Sequence, residues 1–140
     1  MSFGNGINQY RQVGAQTARY ADPHELVRML LDGALSRVAE AQAALAAGEV
    51  GRRGERISRA IAILDGLRGS LSFDNGGELA GNLDALYDYM QRTLMSANLK
   101  ADAARMEEVM ALLREIRDAW VAIPMEARSS HVQDANGTVG

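Results

Sequence analysis

Cysteine is absent from this 140-residue chain, which removes disulfides, thiolate zinc sites and cysteine nucleophiles together. Proline occurs only at Pro23 and Pro124, so nothing between them forbids long helices. Histidine is nearly as scarce. Three residues before His24 and His131 stand Ala21 and Arg128, so neither histidine belongs to the Glu-x-x-His motif of a di-iron bundle. A haem would need an axial His or Met pair facing a core; His24 falls in a first helical turn, and the seven methionines suit gap-filling. A phosphotransfer histidine would want a small and a basic residue near it, whereas Glu25 beside His24 repels phosphate. Catalytic triads lack a central base, and Gly76-Gly77 lacks phosphate-loop spacing, with Glu78 opposing an anion there. The expectation is a protein that is not an enzyme, with no cofactor and no metal.

Long apolar runs are also missing. No stretch reaches the length of a membrane span or of a signal-peptide core, so no membrane insertion is expected. The absence of disulfide chemistry suits the cytoplasm. A net charge of −3 gives no electrostatic footprint for nucleic acid. The one basic cluster is Arg52, Arg53, Arg56 and Arg59. Glu49 and Glu55 precede Arg53 and Arg59 by four residues, the spacing of an ion-paired, solvated helix face.

What is present is helical periodicity. With 47% apolar and 24% charged residues, the composition is that of one globular domain. Asp22, Pro23 and Glu25 read as a capped helix start, followed by an inward stripe through Leu26, Val27, Leu30, Leu31, Ala34, Val38, Ala41 and Leu45, with Gly48 as a stop. A second helix spans about Arg52 to Ser72, with Ile57, Ala60, Ile61, Leu64, Leu67 and Leu71 inward. Ser72 to Gly77 reads as a turn. The third helix, about Glu78 to Asn98, turns Leu79, Leu83, Leu86, Met90, Leu94 and Ala97 inward, with Asn98 as a left-handed cap. Asp102 caps a fourth, whose stripe runs through Met106, Val109, Met110, Leu113, Ile116 and Trp120 until Pro124. The expected fold is all-α: an antiparallel four-helix bundle over 22–124, with a short N-terminal helical arm over 1–21 and a disordered tail over 125–140. In the arm, Ile7, Tyr10 and Val13 are spaced by three but are too few to hold a helix alone.

After the inward stripes are assigned, apolar residues remain. Met29 and Leu35, Ile63, Tyr89 and Met95, and Leu112 lie off the stripes of the first, second, third and fourth helices. Tyr87 and Tyr89 are two apart and cannot both face inward, and Tyr89 is the one expected outside. Surplus apolar surface with tyrosine and methionine suits a groove that receives an amphipathic helix.

Five blocks then carry a family likeness: Ala21 to Leu35 (ADPHELVRMLLDGAL), Ile57 to Leu67 (ISRAIAILDGL), Asn82 to Met90 (NLDALYDYM), Leu94 to Asn98 (LMSAN) and Leu113 to Trp120 (LREIRDAW). With Tyr10 in the arm, this ordered set resembles the flagellin export chaperone family, FliS. Leu31 departs from it, standing where the family commonly has tyrosine. The resemblance implies a cytosolic chaperone that clasps the C-terminal segment of flagellin, prevents premature polymerisation and docks on a component of the flagellar export gate. On that reading Met29, Leu31, Leu35, Ile63, Tyr89, Met95 and Leu112 are candidate flagellin contacts. Ile7, Tyr10 and Val13 form a lid or a gate contact, and the protein is a monomer or weak homodimer. The alternative is a generic helical protein-interaction module or a secretion adaptor for another client.

Overall fold

The first helix begins where its capping residues require. Asp22 Oδ1 accepts the Glu25 N–H at 2.9 Å, and Pro23 occupies the first helical position, where a missing N–H costs nothing. The computed structural model describes residues 22–123, so the arm, Pro124, the tail and His131 lie outside the described residues. Helix α1 runs Pro23–Ala46. It stops as Gly48 turns to φ +72°, with the Glu49 N–H returning to the Ala44 carbonyl at 2.9 Å. Helix α2, Val50–Gly69, starts before the expected Arg52 and stops short of Ser72. There the Ser70 hydroxyl donates back to the Leu67 carbonyl.

Helix α3, Phe73–Lys100, contains a break at Gly77 (φ 55°, ψ −123°), a backbone state open to glycine. The segment read as a turn is therefore a short helical piece that Gly77 separates from the main helix. At the other end, Asn98 does not take the left-handed cap. Ala101 does, at φ +50°, and the Asp102 N–H reaches the Ala97 carbonyl at 2.9 Å. Asn98 stays helical because its side chain and carbonyl both accept from Arg53 on α2. Helix α4, Ala103–Val121, is capped by Asp102 Oδ1, which accepts from Ala104 and Arg105.

The four helices form a ring in which each packs on its sequence neighbour and α1 also packs on α4. Opposite ends meet: the start of α1 touches the end of α4 (His24 with Trp120), and the start of α2 touches the end of α3 (Arg53 with Asn98). The arrangement is antiparallel. Fully buried Leu31, Val38, Leu64, Leu67, Met90, Leu94, Met106 and Leu113 fill the centre. Each such side chain contributes about 1.5–3 kcal/mol on burial. The arginine cluster behaves as a solvated, paired surface, with one change of partner. Arg59 pairs with Glu55 and Arg52 with Glu49, Arg56 sits between Glu55 and Glu40, and Arg53 turns to Asn98 instead. Among the described residues no helix is long and apolar enough to cross a membrane.

Candidate functional site

Three of the four seams between neighbouring helices are closed, each by a different device. Along α1/α2, glycines face large side chains: Gly33 meets Ile63, and Gly66 meets Leu30. Along α2/α3, Arg68 donates to Asp84, Asp88 and Gln91 at 2.8–3.2 Å. Gln91, itself buried, donates onward to the Ile61 carbonyl and to Asp65. Along α1/α4, Arg117 reaches Asp32 at 2.7 Å and Gln42 reaches Glu107.

The α1/α4 seam ends in a reciprocal clasp. The Trp120 indole N–H donates to the His24 carbonyl at 2.9 Å, and His24 Nε2 lies 2.8 Å from the Trp120 carbonyl. A carbonyl only accepts, so Nε2 carries the hydrogen. The two rings stack at 4.8 Å with 12° between planes. His24 is buried here and its Nε2 is engaged, so the exposed histidine that phosphotransfer needs is not what the structure presents.

The α3/α4 seam is different. Near its middle the Tyr89 hydroxyl donates to Glu108 at 2.5 Å. From there to the end of the bundle the seam opens into a cleft of about 440 Å³. One wall is Leu79, Leu83 and Leu86 of α3, spaced by four and three. The other is Leu112, Ile116 and Ala119 of α4 with Ile123 just beyond, again spaced by four, three and four. Trp120, fixed by its clasp to His24, borders it, and among the described residues Glu115 is the only charged one in the lining. An apolar cleft bordered by two helices has the shape that can receive the apolar side chains of one face of an amphipathic helix.

The groove revises the inward stripes. Leu83 and Leu86 are only half-buried, and Leu79 is exposed, because their face of α3 points at a seam that no other described helix covers. The candidate contacts are also redistributed. Leu112 lines the groove, and Tyr89 stands at its inner end. Leu31 is fully buried among α1's core residues, so as a client contact it is corrected to a core residue. Leu35 and Ile63 are half-buried against the core, because the inward face of a bundle helix is broader than one stripe. Met29 (49% exposed) and Met95 (60%) are open to solvent but do not line the groove. Tyr87 is buried, as its pairing with Tyr89 requires, and burial pushes its hydroxyl up to about 12. Ile7, Tyr10 and Val13 lie outside the described residues.

A ring of four helices with three tied seams and one open apolar seam defines a helical binding module. Among the described residues no cluster of three or more His, Asp or Glu is placed to hold a metal ion. The particular family is shown by comparison with known proteins. The family model described as Flagellar protein FliS matches residues 6–127. The flagellar secretion chaperone FliS of Salmonella typhimurium is 46% identical over 129 residues, covering 91% of this chain and 96% of that protein. The flagellar secretion chaperone FliSB of Pseudomonas aeruginosa is 42% identical over 118 residues, 84% and 94% of the two chains. The Bacillus subtilis flagellar secretion chaperone FliS is 33% identical over 132 residues, 94% and 96%. The chain belongs to the FliS family of flagellar export chaperones.

Proposed function

We propose that this protein is a cytoplasmic export chaperone that binds the C-terminal segment of flagellin, keeps it from polymerising and delivers it to the flagellar type III export gate. The observation that carries the reading is the open α3/α4 groove, an apolar surface that an exported helix covers. Binding needs no cofactor, and release follows docking at the gate. Ordering a disordered segment consumes roughly 2–5 kcal/mol of interaction energy, which an extended apolar contact supplies. The protein acts as a monomer or weak homodimer. The same groove would serve a secretion adaptor for another client, so the client's identity decides between the two readings.

The arm fits this scheme as a lid. Its residues Ile7, Tyr10 and Val13 are apolar, and residues 1–21 contain Arg11 and Arg19 but no acidic side chain. Lying over the groove without client, the arm lowers apparent affinity by the fraction of time it is closed. Deleting it through Val13 raises affinity for a flagellin C-terminal peptide; a loss of affinity would mean direct contact with the client instead.

Titrating that peptide, followed by the single Trp120, tests the whole reading. Leu83→Asp and Ile116→Asp each weaken binding at least about tenfold, the loss of one good apolar anchor, while circular dichroism stays helical. Leu99→Asp, on a side chain 85% exposed elsewhere, changes nothing. Normal binding by the groove variants, with loss in Met29→Asp or Met95→Asp, would move the site to those faces.

A further inference from the structure

Along α4 the edge of the groove carries acidic charge. On α4, Glu108 and Glu115 are seven residues apart, on one edge of the face that carries Leu112 and Ala119 into the groove. Two turns put them about 10.5 Å apart along the helix. On α3, Glu78 is exposed one residue before Leu79. At the inner end Arg92 lies over the Tyr89 ring, 5.9 Å from its centroid, but pairs with Asp88, and no ion pair to Glu108 occurs among the described residues. From Glu78 to Gln91, α3 holds no lysine or arginine. The two arginines of α4 between Glu108 and Val121 are turned away, Arg114 to Glu107 and Arg117 to Asp32 of α1. Glu78 and Glu115 form no ion pair among the described residues. At the inner end, the Tyr89–Glu108 hydrogen bond crosses the seam and stops the groove.

We infer that the groove selects its client segment by charge as well as by shape. Its occupant is an amphipathic helix of about three turns, matching the 12-residue span from Leu112 to Ile123, with lysine or arginine flanking the apolar anchors and facing Glu108 and Glu115. The inference rests on the groove being the client site. Apolar burial supplies affinity, and the acidic rim fixes which face and register of the helix is accepted. Each rim pair is worth up to about fivefold in affinity and weakens with salt.

Two synthetic helical peptides test this with the full-length protein. Both carry leucine at i, i+4, i+7 and i+11, and they differ only in having Lys or Glu at the flanking positions. The Lys peptide binds about tenfold more tightly at low salt, and the gap closes to about twofold at high salt. Glu108→Gln with Glu115→Gln, which preserves an acceptor for Tyr89, removes most of the preference. The double change to Lys reverses it. Equal affinities at low salt, or a preference that survives the double Lys change, would overturn the charge rule. A flagellin C-terminal peptide measured in parallel on Leu83→Asp separates the two levels. If Leu83→Asp abolishes its binding while the synthetic peptides show no charge preference, only the charge rule falls. If Leu83→Asp binds it normally, the groove itself is wrong and the charge rule falls with it.

Discussion

The α1/α2 and α3/α4 seams are built from the same kinds of apolar residue and end differently. At α1/α2, Leu30 and Ile63 each face a glycine on the partner helix, so a large side chain meets a small one and the helices close. At α3/α4, Leu83 and Leu86 of one wall meet Leu112 and Ile116 of the other, large against large, and among the described residues no polar tie between the two helices is seen beyond the Tyr89–Glu108 bond. The apolar surface that is spent inside the first seam is left over in the second. A binding groove in a helical bundle thus needs no special residue, only a stretch of seam where large side chains meet large ones, with Ala119 as the small residue of its wall.

The sharpest way to test the contrast is to truncate one leucine on each side of it. Leu64→Ala, at a fully buried position, destabilises by roughly 2–5 kcal/mol because it leaves a cavity. Leu83→Ala, half-exposed in the groove, costs less than about 1.5 kcal/mol, since solvent already reaches it. Equal losses in urea unfolding would mean that the groove is as tightly packed as the core. Tyr87 gives a second reading of the closed interior. Its hydroxyl moves from 10.0 to about 12 through burial. Between those values the unfolded chain loses the proton first, so stability is intact below pH 10 and falls as pH rises, by about 1.4 kcal/mol per unit. Tyr87→Phe removes that slope from the alkaline unfolding profile.

Much of this was legible beforehand, and the failures have one cause. Capping chemistry is local, so Asp22, Gly48 and Asp102 announce their helix ends in the sequence. Core residues such as Leu64, Met90 and Leu113 recur at helical spacing and are indeed buried. Periodicity gives the direction of a face but not what lies across from it. Leu79, Leu83 and Leu86 share the spacing of core residues, and only the packing of α3 on α4 reveals that they border a groove. Likewise Leu35 and Ile63 look exposed from one helix and are half-covered by the next. The Asn98 cap failed for the same reason: its partner, Arg53, is 45 residues away.

A third prediction addresses the clasp that joins the closed α1/α4 seam to the open one. His24→Leu removes the Nε2 donor to Trp120 and the ring stack. The expected cost is about 1–2 kcal/mol, the sum of one buried hydrogen bond and one aromatic contact. Trp120 fluorescence should shift as its ring loosens. An unchanged melting temperature and spectrum would show that the clasp is ornamental to both seams.

A last set of variants, which includes the smallest expected effect, probes the contrast most directly because it inserts side chains on each side of it. Gly33 lies within α1, where glycine costs about 0.5–1 kcal/mol relative to alanine. A Cβ there would stand 3.5 Å from Ile63 Cδ1, an ordinary contact, so Gly33→Ala should stabilise by that amount. The space ends at Ile63. Gly33→Leu overpacks the closed seam and costs about 1–3 kcal/mol. Ala119→Leu makes a similar enlargement on the groove wall, where Ala119 is exposed; stability should change by less than about 0.5 kcal/mol while peptide binding falls. Thermal melts of the three variants rank the seams. If Ala119→Leu destabilises as much as Gly33→Leu, the α3/α4 seam is already full and the large-against-large account of its opening is wrong.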